Sequence, residues 1–75
     1  MKIKKLEGLH LTATNKKHIV QLLEKGWDEG GTKTIWYEIL ERNDNIVKLT
    51  VSKKEKSDYG RVFWRTGTYV IEVSE

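Results

Sequence analysis

His10 and His18 are the side chains in this 75-residue sequence best suited to acid–base or metal chemistry. They stand eight positions apart, and no carboxylate lies at a ligand spacing from either one. There is no cysteine, which removes thiolate nucleophiles, zinc–thiolate sites and any disulfide framework. Glu38 and Glu41 have opposite parity, so on a strand they point to opposite faces and cannot share a proton. Ser52, Ser57 and Ser74 sit in no nucleophile motif. These patterns predict no catalytic residue, no metal site and no cofactor, and therefore a protein that is not an enzyme.

A second chemistry is better represented: flat rings interleaved with cations. Arg61-Val62-Phe63-Trp64-Arg65 alternates the two types, and Lys53, Lys54 and Lys56 precede it. If Val62 and Trp64 point toward a core, then Arg61, Phe63 and Arg65 point outward together. Lys48 joins them if Val47, Leu49 and Val51 point inward, and Trp36 joins them if Ile35 and Tyr37 do. The predicted exposed layer is Trp36, Lys48, Arg61, Phe63 and Arg65, with Lys53, Lys54 and Lys56 on an adjoining loop. Rings between cations suit single-stranded RNA or DNA, because bases stack on rings while Lys and Arg meet phosphates. The same layer also suits a protein partner or a second copy of the chain, or simple packing of the rings in a small second core.

Charge is distributed in blocks. The formal net charge is +3. Residues 1–18 and 48–65 are basic, whereas 24–44 and the tail after Arg65 are acidic. Basic blocks that meet in space favour an anionic partner; the plain alternative is a solvated mixed-charge surface.

The elements that would position these residues are organised around Thr34–Val51. Two runs rich in β-branched and aromatic residues flank Asn43-Asp44-Asn45, whose side chains tolerate left-handed backbone and bond their own main chain. A hairpin follows, with Ile35, Tyr37 and Ile39 on one face and Thr34, Trp36, Glu38, Leu40 and Arg42 on the other. Residues 15–25 read as a helix. Thr14 or Asn15 can cap it, Ile19, Leu22 and Leu23 share one side, and Gly26 with Trp27 supply a Schellman stop. A first strand is expected over 2–12, kinked near Gly8. Asp28-Glu29-Gly30-Gly31-Thr32 reads as a loop, as does Lys53–Asp58, closed by Tyr59-Gly60. For 61–73 one long strand competes with a tight hairpin turning at Thr66-Gly67, and the turn chemistry of Arg-Thr-Gly-Thr favours the hairpin. The predicted fold is α+β: a two-layer sandwich with one helix packed on one face of a 3–5-stranded antiparallel sheet, in the order β-α-β-β-β(-β).

Length and composition fit a single small domain spanning 1–75. Such a chain buries about 60–65% of the surface it exposes when unfolded. With 37% apolar and 33% charged residues it is globular rather than disordered. No run of about 18 apolar residues exists, and no long apolar segment follows the basic N-terminus, so the reading is cytoplasmic with no membrane partner.

The phrase Leu22-Leu23-Glu24-Lys25-Gly26-Trp27, then Gly31-Thr32-Lys33 and two strands, is similar to the small RNA-cleaving toxins of the HicA type. The resemblance covers about a third of the chain. It implies a helix-on-sheet layout that can sit on RNA. The family's cleaving histidine falls at Lys33, so the resemblance does not imply cleavage. Together these observations predict a small non-enzymatic binding module, monomeric or homodimeric, engaging nucleic acid. Its rival is a protein-interaction module, such as an inhibitor or adaptor of the kind encoded by phages and mobile elements.

Overall fold

A computed structural model describes residues 2–73. Five strands and one helix follow one another as β1 (Lys2–Glu7), α1 (Ala13–Lys25), β2 (Glu29–Gly31), β3 (Ile35–Asn43), β4 (Ile46–Lys56) and β5 (Val62–Glu72). The strands form one antiparallel sheet in the order β1-β5-β4-β3-β2, and α1 lies across one face. This is the expected α+β layout of one helix on an antiparallel sheet, although the fifth strand is Glu29–Gly31 and not a division of 61–73.

The core lies between helix and sheet. Ile19 and Leu22 of α1 meet Tyr37, Val47, Leu49, Val51, Tyr69 and Ile71. The strand members of this set alternate along their strands, as one buried sheet face requires. Each fully buried aliphatic chain contributes roughly 1.5–3 kcal/mol. Thr12, not Thr14 or Asn15, caps the helix, and Asn15 occupies N3. The Asn15 backbone N–H donates to Thr12 Oγ1, and the Thr12 N–H donates to Asn15 Oδ1, each at 3.1 Å. The helix ends as its sequence predicts: Gly26 is left-handed, its N–H donates to Leu23 O, and the Trp27 N–H donates to Leu22 O.

Hairpin β3–β4 also forms as expected, turning through Asp44-Asn45. Its register is broken once. Ile39 opposes Leu49 but Glu41 opposes Lys48, so Leu40 is a bulge residue. Beyond it parity reverses, and Arg42, expected on the outer face, lies opposite Val47 on the helix side. There its guanidinium donates to Trp27 O at 2.7 Å and sits 3.6 Å from Asp28.

Four local expectations are corrected. The first strand stops at Glu7, with its bulge at Leu6 rather than at Gly8, and Leu9–Thr12 is not a strand. Gly8, at φ +91°, takes the chain out of the sheet and over β5 toward the helix. Glu29-Gly30-Gly31 is a short edge strand, not a loop, because the helix lies directly over it. An added Cβ at Gly30 would stand 3.0 Å from Leu22 Cδ1. Lys53, Lys54 and Lys56 belong to strand β4, since the backbone pairing with β5 continues to Lys56–Val62. Finally, Thr66-Gly67 is no turn. Residues 62–72 pair with β4 without interruption, and Gly67 is where Leu9 and the Tyr69 ring press on the sheet.

Candidate functional site

Core packing ends at Val51 on β4 and Gly67 on β5, whereas both strands run on. From Ser52 to Thr66 the β4–β5 hairpin is an arm with both faces uncovered by the helix. The molecule is accordingly elongated, 45 × 22 × 21 Å. The tip is closed by two backbone hydrogen bonds, Ser57 N–H to Arg61 O and Gly60 N–H to Ser57 O, and by the Arg61 N–H donating to Ser57 Oγ.

Register settles which side each arm residue takes. Lys53 opposes Arg65 and Glu55 opposes Phe63, in line with Val51 and Gly67 on the helix side. Ser52 opposes Thr66, Lys54 opposes Trp64 and Lys56 opposes Val62 on the outer side. The expected parity of 61–65 is therefore reversed. Phe63 and Arg65 do not join the outer face; Val62 and Trp64 do. Arg61 lies in the tip, outside both strands. The cause is the uninterrupted strand: parity counted outward from buried Tyr69 and Ile71 places every even-numbered residue of β5 outside.

The predicted site residues are thus divided. Trp36, Lys54 and Lys56 share the outer face at the arm end, where Trp64 joins them. Lys48 shares that face but is six residues from Lys54, about 20 Å along the strand, opposite Glu41 on one side and Val70 on the other. Lys53, Phe63 and Arg65 occupy the other side of the ribbon, where Arg65 is 3.7 Å from Glu55. Sequence reasoning missed Trp64. The available signal was parity measured from Tyr69 and Ile71, which is usable only once no turn interrupts the strand.

On the outer face Trp36 and Trp64 line an open groove of about 350 Å³ with Ser52, Thr32 and Lys33. Ser52 Oγ, which lines it, is 3.0 Å from Thr66 Oγ1. On the helix side, a cleft lined by His18, Gln21, Lys25 and Trp27 has Lys25 Nζ 4.6 Å from the Trp27 ring centroid. His10 lines another with Lys5 and Lys16. Neither cleft has an acidic lining residue. Burial raises the phenol pKa values of Tyr37 and Tyr69, with the Asn15 hydrogen bond partly opposing it at Tyr37; both hydroxyls face inward contacts. Ser57 serves the arm tip, and Ser74 lies outside the described residues.

The chain matches no family model, no curated protein and no solved structure. The likeness of 22–33 to HicA-type toxins therefore remains a likeness of one phrase. No helix among the described residues is long and apolar enough to cross a membrane.

Proposed function

We propose that this protein binds nucleic acid and that the β4–β5 arm is the element that makes contact. One observation carries the reading. The arm, residues 52–66, holds Lys53, Lys54, Lys56, Arg61 and Arg65 against Glu55 and Asp58, a formal +3. The whole chain is also +3, so the remaining residues sum to zero. All the excess positive charge sits on a thin projecting ribbon, where it is solvated and free to release counterions from a phosphate backbone. Five cations spread along one ribbon match a repeating anion better than a single acidic group.

The test is a fluorescence titration with short single-stranded and duplex oligonucleotides across a salt series. Affinity is expected to fall linearly in a log–log plot, by about 0.7–0.9 units of slope per phosphate engaged. The double substitution K54Q/K56Q is expected to lower that slope by about 1.4–1.8. An absence of binding at low salt rejects the reading. A second copy of the chain is the competing occupant, since residues 24–44 hold six acids against three cations. Light scattering that shows a salt-sensitive dimer, abolished by K54Q/K56Q, would assign the arm to self-association instead.

A further inference from the structure

Trp36 and Trp64 are 28 residues apart in the chain and come from strands that do not touch. Strand β4 runs between them, which sets their backbones about 10 Å apart across the sheet. Trp36 opposes Ser52, while Trp64 opposes Lys54, one outward-facing row nearer the tip. The offset adds about 7 Å along the strands, so the two backbone positions stand roughly 12 Å apart on a diagonal. Both are large apolar groups left partly in water, 39% and 48% exposed. The groove between them is also lined by the hydroxyl residues Ser52 and Thr32 and by Lys33.

The surrounding charge is directional. Lys54 and Lys56 continue the same face toward the tip. On the body side of Trp36 the same face carries Glu38, with Glu29 directly opposite it on β2. Farther along the body the same face mixes Lys2, Lys4 and Lys48 with Glu41 and Glu72. Beside Trp36, a polyanion is therefore repelled by Glu38 and Glu29 and drawn toward Lys54 and Lys56 on the arm.

We propose that the Trp36–Ser52–Trp64 groove is a stacking subsite for unpaired nucleobases of a single strand. The inference rests on the arm binding nucleic acid, and adds what the arm's charge alone does not select. Bases within a duplex stack on one another at 3.4 Å per step and show no free face. Two exposed indoles carried on backbone positions roughly 12 Å apart suit bases of a strand that can splay them apart. The Ser52 hydroxyl can donate and accept, so it suits base edges of either polarity without choosing a sequence. Phosphates of the same strand lie over Lys54, Lys56 and Lys33.

The test compares probes of equal length and phosphate number by anisotropy: a single-stranded oligonucleotide, an abasic sugar–phosphate chain and a blunt duplex. The base-bearing strand is expected to bind at least 5-fold tighter than the abasic chain, up to about 150-fold for each base stacked. Trp64→Ala is expected to bring single-strand affinity down toward that of the abasic chain while leaving abasic binding unchanged. Trp36→Ala acts in the same direction, and Trp64→Phe retains most of the advantage. Probes made in DNA and in RNA should both show the advantage, because the groove meets base faces that the two share. An advantage confined to one of them overturns recognition by stacking.

Equal binding of base-bearing and abasic chains overturns the subsite and leaves the arm's phosphate contacts standing. Tighter binding of the duplex also overturns the subsite. Failure of all three probes at low salt removes the arm reading itself. The comparison of probes on the unsubstituted protein needs no variant, so a substitution that impairs folding does not shield the proposal.

Discussion

The Tyr37 hydroxyl joins the helix start to the sheet. Asn15 Nδ2 donates to it at 3.2 Å, and His18 Nδ1 lies 3.1 Å away. With Asn15 as donor, the phenol proton is free to go to His18 Nδ1, an assignment that follows from the network. Asn15 thus completes the capping box with one atom and holds the core tyrosine with another. Replacing it with Asp keeps the acceptor for the Thr12 N–H and removes the donor to Tyr37. N15D is therefore expected to cost less than N15A, which loses both and should lose about 1–2 kcal/mol in urea unfolding. The two buried phenols also predict a pH response. Burial raises their native pKa values above the unfolded value near 10.0. Below that pH both states are protonated and the contribution is complete. Above it the unfolded chain releases protons first, so stability falls as pH rises through the native values. Unfolding midpoints between about pH 9 and 11.5 should fall less steeply in Tyr69→Phe than in the parent protein. An identical slope in the two would refute the link.

At the scale of elements, β5 depends on a glycine that local chemistry misassigns. Arg65-Thr66-Gly67-Thr68 has turn composition, yet it runs straight through the sheet. Gly67 is there because Leu9 and Tyr69 occupy the space a side chain would need. An added Cβ would stand 2.6 Å from the Tyr69 hydroxyl and 2.9 Å from the Leu9 nitrogen. Gly67→Ala must displace one of them, and the Tyr69 hydroxyl is bonded to the Leu9 carbonyl. A loss of about 1–3 kcal/mol is expected in chemical denaturation. The substitution tests the strand directly, because alanine in an exposed turn would cost far less. Leu40 makes the complementary point. One bulged residue carries Arg42 across to the helix side, where it anchors the loop after α1 through Trp27 O and Asp28. Both ion-pair partners are solvent-exposed, so Arg42→Ala should cost less than about 1.5 kcal/mol.

At the scale of the molecule, stability and charge are separated. Among the described residues the helix-covered half contains the buried core and nearly balances nine cations with eight acids, while the arm has no core residue and a formal +3. The arm's strands are held by backbone pairing and by contacts such as Ser52–Thr66 and Glu55–Arg65. A two-stranded ribbon of this kind is marginal by itself in water. Amide hydrogen exchange is therefore expected to be fastest in residues 53–65 and slowest in Leu49, Val51, Tyr69 and Ile71. A bound single strand should slow exchange in the arm selectively. Uniform protection along β4 and β5 in the free protein would contradict this division.

Several features were legible in the residues because their causes are local. The hairpin at Asp44-Asn45, the helix stop at Gly26 and the inward set Tyr37, Val47, Leu49 and Val51 follow from turn chemistry, capping and two-residue alternation. The charge blocks and the exposed Trp36 were legible for the same reason. The rest depended on contacts between distant parts of the chain. Leu9 and Tyr69, 60 residues apart, make Gly67 a strand residue, and that alone reverses the faces of Val62–Arg65. Trp64 then replaces Phe63 beside Trp36, and Lys53–Lys56 becomes part of a projecting strand instead of a loop. A strand's alternation has a period of two, so local pattern supplies two answers for 61–65. Only packing at the far end of β5 chooses between them.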